Sequence, residues 1–146
     1  MSNSPAVLDK RLYTASATAT GGRAGKVVSD DNRLEHQLVP PPGLGGPAGA
    51  TGTNPEQLFA AGYAACFGGA LDHVARAQKI TTGPVSITTK VTIGSVGKAF
   101  GLAVEIVASL PELPREQAEA LVKAAHEVCP YSNATRGNIA VDVSLA

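Results

Sequence analysis

Two cysteines are the residues best suited to chemistry in this chain of 146 residues: Cys66 and Cys129, 63 positions apart. They are either two inert thiols or a redox couple, and they do not form a Cys-x-x-Cys motif. Cys66 lies in Tyr63-Ala64-Ala65-Cys66-Phe67. There it can serve as a small buried hydrophobe or as a nucleophile. The nucleophile is the thiolate, and a thiol with an unperturbed pKa of about 8.5 is only a few per cent ionised at neutral pH. Apolar surroundings favour the neutral thiol. A reactive Cys66 therefore needs a cation beside it, each unit of pKa lowering requiring about 1.4 kcal/mol of preferential thiolate stabilisation. Arg23, Arg76 and Arg136 are the candidates. Cys129 directly precedes Pro130 at the expected end of a helix, where the dipole is negative and opposes thiolate formation. If the two thiols differ in role, Cys66 attacks first and Cys129 responds.

Other polar residues are weaker candidates. Glu56 precedes Cys66 by ten positions, nearly three helical turns, so the two are not neighbours on an ideal helix. It fits a helix-start carboxylate, with the alternative of orienting an arginine. His73 and His126 lie near the cysteines, yet neither a Cys-x-x-Cys nor a His-x-x-x-His pair supports a zinc site, so no metal is expected. His36 falls on an expected solvated strand. Gly25-Lys26 fails as a phosphate loop because Val27 follows it and Thr20 stands where the first glycine belongs. Asn133-Ala134-Thr135 matches a glycosylation triplet but has no bearing without a secretory signal.

The elements that must position these groups can be read in order. Tyr13–Thr20, Lys26–Ser29 and Leu34–Val39 read as short strands, separated by Gly21–Gly25 and by Asp30-Asp31-Asn32. Pro40–Gly52, with three consecutive prolines and five glycines, is a loop long enough to be functional. A helix follows: Thr53 or Asn54 can cap it, Pro55 suits its first position, and Glu56 suits its positive end. Gln57 to about Gln78 is apolar nearly all round, which predicts a buried helix whose alanines and glycines admit another helix closely. Val85–Ile93 alternates with period two, and Leu102–Ser109 is a second strand joined to it through Gly94, Gly97 and Gly101. Ala118, Leu121, Val122, Ala125 and Val128 then mark the stripe of a second helix ending at Pro130, and Ile139–Leu145 closes the chain as a strand. The order β-β-β-α-β-β-α-β predicts an α+β fold in a single domain spanning 1–146.

Composition narrows the function classes. Twelve Lys and Arg balance twelve Asp and Glu, which argues against a nucleic-acid binder. A hydrophobic fraction of 44% with 16% charged residues is globular composition. No apolar run approaches the roughly 20 residues that span a bilayer. Met1–Lys10 lacks a basic-then-apolar signal, so a cytoplasmic location is expected.

Three runs carry a resemblance: Thr18-Ala19-Thr20-Gly21-Gly22-Arg23, the stretch from Gly52-Thr53-Asn54-Pro55-Glu56 to Tyr63-Ala64-Ala65-Cys66-Phe67, and Cys129-Pro130-Tyr131-Ser132-Asn133-Ala134-Thr135-Arg136-Gly137-Asn138. Together with Phe100-Gly101-Leu102, the chain from about Lys10 onward resembles the organic hydroperoxide resistance (Ohr) branch of the Ohr/OsmC family. The resemblance implies an OsmC-like fold, with antiparallel sheets, a long buried central helix and a second helix, in an intertwined homodimer. It also implies a thiol peroxidase acting on alkyl and fatty-acid hydroperoxides. In that pattern Cys66 is the peroxidatic residue, Cys129 the resolving one, Arg23 the activating cation and Glu56 its carboxylate partner. No cofactor is bound, and the reductant is a dihydrolipoyl group on a partner protein. Leu44, Phe67 and Phe100 are expected to line an apolar approach for the substrate tail, and the Pro40–Gly52 loop is expected beside the site. The departure from the pattern is small: Leu113-Pro114 opens the second helix without a polar cap.

Three rivals remain. The OsmC branch shares the chemistry, but the Cys129–Asn138 run favours Ohr. A redox sensor would react once per cycle, whereas an enzyme turns over. A structural dimer with inert thiols would not react with hydroperoxide at all.

Overall fold

The computed structural model describes residues 4–146, so Met1–Asn3, part of the segment read for a signal, lie outside the described residues. The chain divides into two compact units, 1–54 and 55–146.

The first unit is a small antiparallel sheet. Strands β1 (Ala17–Thr20), β2 (Lys26–Ser29) and β3 (Glu35–Gln37) lie in that order, with Ala17 opposite Ser29 and Lys26 opposite Gln37. The expected strand Tyr13–Thr20 is shortened to its last four residues. β1 pairs with all four residues of β2, Asp30 donates one further bond to the Ser16 carbonyl, and the chain then turns at Asn32 (φ 59°). Leu34–Val39 contracts likewise to Glu35–Gln37. A 3-10 turn, Gly22–Ala24, connects β1 to β2. Gly25 is required in that turn, because a Cβ there would lie 1.6 Å from the Thr20 carbonyl oxygen.

Within the same unit, Pro40–Gly52 contains a 3-10 turn at Pro42–Leu44 and is otherwise irregular. Its ends are tied together by a parallel bridge between Leu38 and Thr53: Val39 N–H donates to Thr53, and Thr53 N–H donates to Gln37, both at 2.9 Å. Among the described residues of this unit Leu38 is the buried hydrophobic one; the strand residues themselves are exposed or half-buried.

The second unit holds the core. Helix α1 (Pro55–Ala77) is followed by the hairpin β4 (Ser86–Val96) and β5 (Ala99–Ser109), helices α2 (Arg115–Val128) and α3 (Pro130–Thr135), and strand β6 (Val141–Leu145). The hairpin is longer than expected, because pairing runs from Ser86–Ser109 to Val96–Ala99 without a break. Gly94 and Gly101 oppose each other within the ladder, and only Gly97-Lys98 turns the chain. Gly97 has φ 57°, as a two-residue hairpin turn with glycine first requires. The alternation read in β4 is real: Ile87, Val91 and Ile93 are covered, while Ser86, Thr88, Lys90 and Thr92 face out.

Two expectations need correction. The sheets are not both antiparallel, because β6 runs parallel to β5, with Val104 opposite Val141 and Ala108 opposite Leu145. The α2–α3 connection supplies the crossover that a parallel pair requires. The long helix is not buried on every side within this chain. Tyr63, Phe67, Ala70, Leu71, Val74 and Ala75 are enclosed, while Ala61, Ala65 and Gly69 are exposed. One three-stranded sheet and one helix pair can cover a single face.

Tyr63, Phe67 and Leu71 of α1 pack with Val104, Ile106 and Ala108 of β5 and with Ala118, Leu121, Val122 and Ala125 of α2 in one cluster. The α2 stripe is as read except for Val128, which is 45% exposed where the helix ends. Pro114 caps α2 without a side-chain hydrogen bond. None of the helices is long and apolar enough to cross a membrane among the described residues.

Candidate active site

The two cysteines meet. Cys66 sits in the middle of α1, half-buried, and Cys129 is wholly buried at the junction of α2 and α3, with their sulfurs 3.7 Å apart as free thiols. Pro130 makes this possible. It cannot continue α2, and it suits the first position of a new helix. Cys129 thus takes an extended conformation (φ −63°, ψ 123°) that ends one helix and begins the next. The expectation of a purely negative helix end at Cys129 is therefore incomplete, since the same residue opens α3.

Burial pushes the Cys66 thiol up from its ordinary pKa, and the neighbouring Cys129 adds to that; the Tyr131 backbone N–H opposes it by hydrogen bonding to the sulfur. The second residue of α3 thus favours a thiolate at Cys66. An aromatic wall lies along the same edge of α1. Phe59, Tyr63 and Tyr131 stack edge-on or tilted, with centroids 5.5 to 6.2 Å apart. Gly62 lets Tyr131 close on the helix: a Cβ there would stand 2.9 Å from the phenolic oxygen.

A buried polar network backs the pair. Tyr63 Oη lies 2.8 Å from Ser132 Oγ and 3.1 Å from Thr135 Oγ1, and His126 Nδ1 lies 2.7 Å from Ser132 Oγ. Burial depresses the His126 pKa, the Arg136 charge adds to this, and Glu127 opposes it. Arg136 reaches from the end of α3 to the Asn133 side chain at 2.6 Å and to the His126 carbonyl at the end of α2.

Proteins of known sequence and structure match this chain closely. The model of the OsmC-like protein family matches residues 46–144. The chain belongs to the OsmC-like family, in its organic hydroperoxide resistance branch. It is 55% identical to the organic hydroperoxide resistance protein of Xanthomonas axonopodis pv. citri over 94% of this chain and 97% of that one. It is 51% identical to organic hydroperoxide resistance protein OhrB of Bacillus subtilis over 92% and 98% of the two chains. The crystal structure of an organic hydroperoxide resistance protein from Legionella pneumophila superposes with a TM-score of 0.88 at 52% identity, covering 94% of this chain and 99% of that one.

Within this OsmC-like fold each predicted residue can be located on its own element. Cys66 and Cys129 are together. Glu56 is half-buried in the first turn of α1, about 15 Å along the helix axis from Cys66. Arg23 is half-buried in the Gly22–Ala24 turn of the first unit. Of the other arginines considered, Arg76 pairs with Asp72 at 2.9 Å and Arg136 serves the helix ends. Phe67 is fully enclosed against the His126 ring, so it does not line an open approach to Cys66 as expected, and Phe100 is 78% exposed on the hairpin. Leu44, in the first unit, is 44% exposed. His73 is exposed, and among the described residues no three His, Cys, Asp or Glu side chains gather where a metal could sit.

Tyr63, His126, Ser132 and Thr135 do not stand out as a group in the sequence. A signal was present: Tyr63 and His126 each stand three residues before a cysteine, one helical turn away.

Proposed function

We propose that this protein is a cysteine peroxidase that reduces organic hydroperoxides to alcohols. The observation that carries the reading is the 3.7 Å approach of two thiols from distant parts of the chain, one half-exposed and one buried at a helix junction. A disulfide sulfur pair stands about 2.05 Å apart, so a small movement closes the bond.

The Cys66 thiolate attacks the distal oxygen of the hydroperoxide. The O–O bond breaks, the alkoxide takes a proton and leaves as the alcohol, and Cys66 becomes a sulfenic acid. Cys129 then attacks that sulfur: the S–S bond forms, the S–O bond breaks, and water leaves. An external dithiol, of the dihydrolipoyl type on a partner protein, restores both thiols by exchange and is itself oxidised. No cofactor resident in this chain takes part. Burial works against the thiolate at Cys66, so a cation is required. Arg23 fills that role in this reading, with Glu56 holding its guanidinium, and Arg23 would also stabilise charge on the departing oxygen. The accessible rings of Phe59 and Tyr131, backed by the buried Tyr63, suit an alkyl tail better than hydrogen peroxide.

The exposed alanine and glycine face of α1 and the thinly covered first unit support an intertwined homodimer. The relatives' names, organic hydroperoxide resistance proteins, support organic hydroperoxides as the substrate class.

The test is turnover of tert-butyl hydroperoxide with a dihydrolipoyl or a thioredoxin reductant. Cys66→Ser should abolish it. Cys129→Ser should undergo one oxidation and then accumulate sulfenic acid at Cys66, trapped by dimedone and read by mass spectrometry. Equal steady-state rates for Cys129→Ser and the parent with the lipoyl reductant would refute the resolving role.

A further inference from the structure

The hydrogen bonds beside the cysteine pair can be satisfied together in one direction only. A hydroxyl has a single proton to give. Thr135 Oγ1 donates to the Ser132 carbonyl at 3.2 Å, so its 3.1 Å contact with Tyr63 must be one in which Tyr63 donates. Tyr63 then has no proton for Ser132, and Ser132 Oγ must donate across their 2.8 Å contact. Ser132 in turn has none for His126, so the 2.7 Å bond requires a hydrogen on His126 Nδ1. The chain runs from His126 through Ser132 and Tyr63 to Thr135 and back to the α3 backbone.

Burial gives this order weight. Tyr63 and Ser132 are wholly enclosed and Thr135 is 5% exposed, so a broken link leaves a polar atom without water to replace it. The links join three helices. Tyr63 is one turn before Cys66 on α1; His126 is one turn before Cys129 on α2; Ser132 follows Tyr131, whose N–H meets the Cys66 sulfur. Each anchor is thus within a turn of a group that acts on the sulfurs.

We propose that Tyr63, Ser132 and His126, with the imidazole hydrogen on Nδ1, are positioning residues that hold the start of α3 so that Cys129 can close on oxidised Cys66. This rests on the peroxidase reading and assigns these residues to its second step. Attack on the hydroperoxide needs the Cys66 thiolate and its proposed cation but not Cys129. Resolution, in which sulfenic acid and thiol condense to disulfide and water, needs Cys129 at short range and is sensitive to a shift of α3.

The test mixes the reduced full-length protein with one equivalent of tert-butyl hydroperoxide and follows peroxide loss and disulfide formation separately. Ser132→Ala and His126→Leu should consume peroxide within about twofold of the parent rate but form the disulfide at least tenfold more slowly, with dimedone-trapped Cys66 accumulating. His126→Asn, which keeps a polar group near the Nδ1 position, should restore disulfide formation to within about threefold. Nitrogen-15 NMR of the parent above pH 7 should show His126 protonated at Nδ1 and not at Nε2; this measurement needs no variant to fold. Disulfide formation at the parent rate in both variants, equal slowing of both steps, or a hydrogen only on Nε2 would overturn the proposal. A parent protein that forms no Cys66–Cys129 disulfide would instead refute the peroxidase reading, and this proposal with it.

Discussion

At the scale of single residues, two opposed effects meet at one sulfur. Enclosure by α1 and its neighbours favours the neutral thiol at Cys66, and one backbone N–H favours the anion. A single hydrogen bond to a charged group contributes about 1.5–3 kcal/mol, which burial can offset, so the proposed guanidinium decides the balance. Arg23→Met is expected to displace the pH–rate curve for alkyl hydroperoxide reduction towards alkaline pH and to lower the rate at pH 7 by about 10- to 100-fold. Steady-state assays from pH 5 to 9 measure this, and an unmoved curve would remove Arg23 from the mechanism. His126 gives a second pH effect. Its folded-state pKa lies below its unfolded value, so the fold favours the neutral ring. The stabilisation is complete above about pH 6.5 and declines as pH falls below it, until the folded-state pKa is passed. The melting temperature of the parent should accordingly fall more between pH 7.5 and 5 than that of His126→Asn. Both cysteines were legible in the sequence as a candidate redox pair. Their 3.7 Å contact was not, because nothing local to either one specifies the other.

At the scale of elements, the turn chemistry matters as much as the side chains. The Gly22–Ala24 turn that carries Arg23 depends on Gly25, since a methyl group there would enter the Thr20 carbonyl. Backbone rather than a flexible side chain is the obstacle, so the turn itself must move. Gly25→Ala is expected to reproduce the alkaline displacement of Arg23→Met although Arg23 is intact, and the same pH series checks it. Helix α3 is an element the sequence reading did not separate. From sequence Pro130 marks the end of the second helix, whereas it ends one helix and starts another, and the six-residue piece it opens has too few apolar positions to show a period. The parallel placement of β6 was hidden for a related reason, since strand direction depends on how the chain crosses between strands and leaves no mark in the strand itself. Alternation in β4 and the stripe of α2 were readable because each reports a local period that burial enforces.

At the scale of the whole molecule, the distribution of cover is uneven. The second unit encloses one face of α1, while Ala61, Ala65 and Gly69, spaced four residues apart, remain open. The sequence suggested a helix enclosed all round, and an all-round apolar pattern cannot distinguish cover from the same chain from cover by a second copy. A Cβ at Gly69 would meet nothing within 4 Å, so the fold of this chain does not require glycine there. Gly69→Leu is expected to leave the fold intact by circular dichroism while weakening the proposed homodimer, as read by sedimentation equilibrium at micromolar concentration. A dimer of unchanged affinity would place the subunit contact elsewhere.

The rung between Leu38 and Thr53 makes the Pro40–Gly52 segment a closed noose rather than a slack tether. Where the chain enters and leaves is set by the rung, and what lies between can change length without disturbing either end. Doubling such a span costs only about 0.6 kcal/mol in closure entropy. Evolution, or an engineer, can recontour the surface here cheaply while β3 before the segment keeps its register.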